Sequence, residues 1–238
     1  MTNQSRVPLN RAAITAAAED SAVVTCRYDL AKFSAAQMQD AGIELHVLGH
    51  LIGDDRVSGS SPFGYGNDET VAVSVLLRIA GQITSAASDL FRDGRQYAAA
   101  ALLRQLVEVE YLAWAFGTRN RDAERWLRSD EAERQQFFRP AKLRAAAGGA
   151  FRSEDYGYHC ELGGHPVPQS NVLLENSHSI GQLLLSDLLG HVGHIWNHLC
   201  LWASQNDDGE AILRRSKDMS EKFQEWNSKD LLIGLPPP

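Results

Sequence analysis

The chain has 238 residues, 44% of them hydrophobic and 22% charged, with a formal net charge of −7. This is the composition of a folded globular protein, not of a disordered one. The acidic balance excludes a globally basic surface of the kind that attracts nucleic acid, so any such contact must be local. The three cysteines, Cys26, Cys160 and Cys200, are far apart and lack a Cys-x-x-Cys spacing, which argues against a disulfide framework or a cysteine zinc knuckle. No apolar run of signal-peptide length opens the chain. The most apolar stretch, Ile180 to Ala203, is interrupted by Asp187, three histidines and Asn197, so the expectation is a cytoplasmic protein with no membrane partner.

In chain order, helix signals dominate. Ala12 to Asp20 reads as a short helix, and Val23 to Cys26 is an ambiguous apolar run. Ser34 is a candidate cap for a helix to about Ile52, and Gly53 to Asn67 reads as a surface loop. Asn67 or Asp68 opens a long helix to about Arg92. Gly94 ends it in a left-handed turn, and a second helix runs from about Gln96 to Phe116 before Gly117. Asn120 to Arg128 and Asp130 to Phe138 are two short helices, the second with an Asp130/Glu133 capping pattern, and Pro140 starts another that fades at Gly148. Phe151 to Pro168 reads as irregular. A last apolar helix is capped by Ser177 or Ser179 and reaches about Ser204, a polar helix runs from Asp207 or Asp208 to about Trp226, and the terminal prolines cannot be helical. The expected fold is all-α: a bundle core at about 68–205 built on an antiparallel helical hairpin with extra short helices. An N-terminal helical elaboration (1–66) and a C-terminal helix with a proline tail (206–238) complete one domain.

Within the hairpin, Arg104 and Glu108 stand four residues apart and share a helix face. Leu77-Arg78 through Phe91-Arg92-Asp93-Gly94-Arg95-Gln96-Tyr97-Ala98, then Leu103-Arg104-Gln105-Leu106-Val107-Glu108, with the later Tyr158-His159-Cys160-Glu161-Leu162-Gly163-Gly164-His165-Pro166, resembles a bacterial helical family of unknown function. That family is grouped with the HEPN-like proteins of toxin, defence and RNA-processing systems. The likeness covers roughly residues 70 to 170, with Gly163 and Gly164 departing from the helical stretch expected there. The resemblance implies a HEPN-like bundle, a homodimer, and an RNA-directed ribonuclease or RNA-binding module of a defence or toxin–antitoxin system with a partner protein. In that reading His165 or His159 is the acid/base, Arg104 or Arg152 steadies a phosphate, and Glu108 and Tyr158 complete the group. The Arg152 to His159 spacing matches the loosest form of the family's Arg/His motif. The blander alternative is a polar latch that pins the 151–168 segment to the hairpin and makes the chain a non-catalytic interaction module.

A second constellation lies on the last apolar helix. Asp187, His191, His194 and His198 fall in a narrow arc beside the apolar stripe. His191 and His198 are separated by about 10 Å of helical rise, so no single metal takes all three histidines. A zinc or other divalent ion would use His191 with His194, or His194 with His198, plus a donor from a facing helix: Glu108, Glu110, His46 or His50. This is the alternative function, a metal-binding helical protein of hydrolase type. Phosphate-loop and serine-hydrolase motifs are absent.

Overall fold

The computed structural model describes residues 11–51, 66–119, 121–151, 153–175 and 177–233. The expected loop at 53–65, the proline tail and Arg152 lie outside them. Helices are α1 (Arg11–Glu19), α2 (Ser21–Leu51), α3 (Asp68–Arg92), α4 (Gln96–Thr118), α5 (Asp122–Arg128) and α6 (Glu131–Glu133). They continue with α7 (Pro140–Ala146), α8 (Ser153–His159), α9 (Asn171–Leu174), α10 (His178–Ala203) and α11 (Glu210–Lys229). The class is all-α, with no strand among the described residues.

Local chemistry explains most boundaries. The Asn67 side chain accepts from the Glu69 and Thr70 N–H groups at 3.0 and 3.3 Å, satisfying donors that the first turn of α3 leaves free. Gly94 takes φ 74°, and the Arg95 N–H donates back to the Leu90 carbonyl at 2.8 Å, closing α3 and turning the chain straight into α4. Asp130 accepts from the Glu133 N–H at 2.8 Å and caps α6. Three expectations are corrected. Helix α2 begins at Ser21, because Asp20 rather than Ser34 is its cap: the Asp20 carboxylate accepts from Ala22 and Val23 N–H, while Ser34 is fully buried in mid-helix. The 151–168 segment is largely helical, α8 running into a wide turn over Cys160–Gly164. The last helix starts at Glu210, after a tight 3₁₀ turn at Asp207–Gly209.

Helix α2 packs along α3, α3 folds back on α4, and α4 packs on α10. One apolar cluster runs through all four and on to Met219 of α11, with Leu76, Leu103, Leu106, Leu184, Leu188, Val192 and Leu199 fully buried. Among the described helices α3 alone is long and apolar enough to cross a membrane, and 61% of that stretch is buried inside the protein, as in a core helix. Two polar ties clamp the periphery. Trp202 Nε1 donates to Glu69 at 2.7 Å, joining the end of α10 to the start of α3. Arg27 of α2 makes a bidentate pair with Asp230, just past α11, and both side chains are wholly buried.

Candidate metal centre

On α4, Glu108 and Glu110 are separated by about 200° of helical rotation, so they address different neighbours. Glu108 accepts from Arg104 at 2.8 Å and from the Tyr156 hydroxyl at 2.9 Å; Arg104 also reaches Tyr156 at 3.2 Å and the Cys160 sulfur at 3.4 Å. Burial opposes the charge on Arg104, but its bonds to Cys160 and Tyr156 and the Glu108 carboxylate outweigh burial and hold its pKa above the ordinary value. The hairpin and the 151–168 segment do meet. The tyrosine that completes the group is Tyr156, not Tyr158, and none of the group's hydrogen bonds reaches His165, whose side chain is exposed. Tyr156 could not be singled out in advance, because Tyr158 stands two residues away in similar sequence surroundings.

Glu110 faces α10 instead, 5% exposed. Its Oε1 is 3.1 Å from His194 Nδ1, and its Oε2 pairs with His191 Nδ1. Burial pushes the Glu110 pKa up, yet the two histidine hydrogen bonds prevail and hold it at about 2. The far nitrogen of His191, Nε2, lies 3.4 Å from His159 Nε2 and 3.7 Å from Asp187 Oδ1. Asp187 Oδ2 is 3.5 Å from His159 Nε2, so the carboxylate spans the two imidazoles. His159 is 3% exposed, and burial together with the neighbouring His191 drives its pKa down to about 3, leaving the ring neutral with a lone pair to give.

The chain places His159 there by a close backbone approach. It is the last residue of α8, where the helix widens into the Cys160–Gly164 turn. A Cβ on Gly163 would lie 2.4 Å from the Ala100 backbone of α4, so only glycine lets the turn press onto α4 and carry His159 over α10. The adjacent Gly164 lies against the Arg104 side chain. Gly163, one of the two glycines that depart from the resemblance, is thus what the packing requires.

The Nε2 atoms of His159 and His191 stand as far apart as two ligands of a tetrahedral ion, and each faces its own oxygen of Asp187. Four ligands at zinc's bond lengths stand about 3.3–3.4 Å apart, whereas cis ligands of an octahedral ion stand about 3.0 Å apart. In the other triad, Glu110 with His191 and His194, both carboxylate oxygens are taken up by imidazole Nδ1 atoms at closer range than any contact in the first. Glu110 therefore fits an outer carboxylate that orients His191 through Nδ1 and leaves Nε2 for a metal. The expected grouping of His191 and His194 with Glu110 is thus one of two histidine–carboxylate groups that share His191, the other being His159 with Asp187, and His198 belongs to neither among the described residues. His198 lies edge-on to Phe151, with ring centroids 6.4 Å apart, and burial lowers its pKa. His46 and His50 pack on each other at 4.4 Å on α2. Tyr158 stacks against His159 at 5.5 Å, with a buried hydroxyl that has no hydrogen-bond partner among the described residues; burial and the Asp187 charge raise its pKa.

No family model, no curated protein and no solved structure matches the chain. The family likeness read from the sequence therefore remains an expectation, and the site stands on its own geometry.

Proposed function

We propose that this chain is a divalent-metal-binding helical protein of hydrolase type. In this reading zinc is held by His159 Nε2, His191 Nε2 and Asp187 and oriented by Glu110. The observation that carries it is the 3.4, 3.5 and 3.7 Å spacing of those donors, drawn from two helices remote in sequence. Zinc with three protein ligands keeps a fourth position for water and brings that water's pKa to about 7, which is the basis of hydrolytic zinc chemistry. Glu110, ionised and buried, does for His191 what an outer carboxylate does in such sites: it fixes the tautomer and the ring plane. Without an ion, one imidazole donating to the other would account for the 3.4 Å contact, so metal content decides. Protein prepared without a histidine tag is expected to retain close to one equivalent of zinc after dialysis. Asp187→Asn with His159→Asn should lose it, and Glu110→Gln should bind roughly 10- to 100-fold more weakly. Wild type holding no more zinc than the double variant would end the proposal.

A second reading, an RNA-directed HEPN-like protein, has one observation in its favour: Arg104 and Glu108 meet a tyrosine of the 151–168 segment. Against it, the Arg104 guanidinium is already engaged by three partners, and His159 belongs to the histidine–carboxylate cluster. RNA cleavage by wild type that Arg104→Ala abolishes would favour this reading instead.

A further inference from the structure

Between α10 and α11 lies a cavity of about 530 Å³, well within the size range of small-molecule sites. Among the described residues its wall carries no lysine, arginine, aspartate or glutamate. That is unexpected for α11, whose other positions include Arg214, Arg215, Lys217, Asp218, Glu221, Lys222, Glu225 and Lys229. The charges are segregated to the remaining faces. The cavity side presents Ser220, Gln224 and Asn227, with Phe223 among them, and Asn197 answers from α10. Neutral amides and hydroxyls can be buried by a ligand that hydrogen-bonds to them, whereas a charged side chain would have to be desolvated at much greater cost.

Two further features point to an occupant. Gly190, in the middle of α10, lines the cavity, and a Cβ built on it meets nothing within 4 Å. Glycine inside a helix is less stable than alanine, and no packing contact here requires it; what its absent side chain preserves is open space. Trp196 also lines the cavity and is 3% exposed, yet its indole Nε1 donates to no acceptor among the described residues. A buried N–H without an acceptor is costly, and although Nε1 is closed to solvent, a shift of the ring toward the cavity lets a ligand oxygen relieve it.

We propose that the α10–α11 cavity binds an uncharged organic molecule that combines an apolar ring with a hydrogen-bond-accepting carbonyl. The cavity goes beyond the metal reading and does not depend on it. His194 is the one residue common to the cavity and the histidine–carboxylate cluster.

Benzamide, benzoate and benzamidine have nearly the same shape and are neutral, anionic and cationic, so they serve as probes. Titrations followed by calorimetry and by the Trp196 indole N–H resonance, assigned with Trp196→Phe, should show benzamide binding at least tenfold more tightly than either charged probe and shifting that resonance. Gly190→Leu, which fills the space from α10, should abolish binding. Ser220→Phe, which fills it from α11, guards against a folding defect in the first variant and should do the same. Benzamide should bind alike in metal-free and zinc-loaded protein, so a chain that takes up no zinc but still binds benzamide refutes only the metal reading. Equal binding of a charged probe, no benzamide binding, or benzamide binding undiminished in both filled variants overturns the cavity proposal.

Discussion

Replacing Asp230 with asparagine removes one negative charge from the most buried ion pair among the described residues. Both side chains are wholly inaccessible. The carboxylate accepts from Arg27 Nε and Nη2 at 2.7 and 2.6 Å, from Trp226 Nε1 at 2.7 Å and from the Leu232 N–H at 2.9 Å. Arg27 additionally donates to Gln182 at 3.0 Å and to the Ala17 carbonyl at 3.3 Å, so the pair ties α1, α2, α10 and the end of α11 together. Asp230→Asn strands a guanidinium that solvent cannot reach, for which a loss of about 3–5 kcal/mol is expected. For a chain of this size that is a fall of roughly 6–20 °C in Tm, read by circular dichroism at pH 7. Burial pushes the Asp230 pKa up, but hydrogen bonds from Arg27 and Leu232 overcome it, leaving a folded value below the ordinary one. A depressed folded pKa contributes stability above the unfolded value, near 3.9, that is lost as pH falls through the folded value. The wild-type advantage over Asp230→Asn should therefore be full at pH 6–7 and shrink below about pH 4. Arg27→Met with Asp230→Leu should recover much of the loss, because an apolar pair leaves no stranded charge. If Asp230→Asn melts within about 1 °C of wild type, the pair behaves like a surface salt bridge and the reasoning fails.

Glu108→Ala should lower stability by only about 1 kcal/mol, because the Arg104–Glu108 pair is a third exposed on the Glu side, and should leave zinc content unchanged; urea denaturation and metal analysis of the same sample check both halves. Gly163→Ala forces a methyl against the Ala100 backbone and should cost about 1–3 kcal/mol while weakening zinc retention, since the displaced turn carries His159 with it. Leu106→Ala, at a fully buried position of α4, should cost about 2–5 kcal/mol in a urea titration with the helical far-UV spectrum retained.

Most of the helices could be read from the chain because their signals are local. Asn67, Asp130 and Gly94 act on N–H and C=O groups within five residues of themselves, and the 3.6-residue apolar period needs no knowledge of what it packs against. Where that reading erred, the deciding contact was again short-range but ambiguous: Asp20 and Ser34 are both acceptable caps, and only the buried position of Ser34 shows that the helix runs through it.

The site divides differently. That Asp187, His191 and His194 share a face of α10 follows from periodicity alone, as does the opposition of Glu108 and Glu110 on α4. Periodicity gives each side chain an angle about its own helix and says nothing of which helix stands at that angle. Joining His191 to His159, Glu110 to α10 and Arg27 to a partner 203 residues away took the relative rotation and depth of four packed helices. Those are set by the summed burial of the whole core, including the glycine contact that seats the Cys160–Gly164 turn, and no local stretch of chain encodes them.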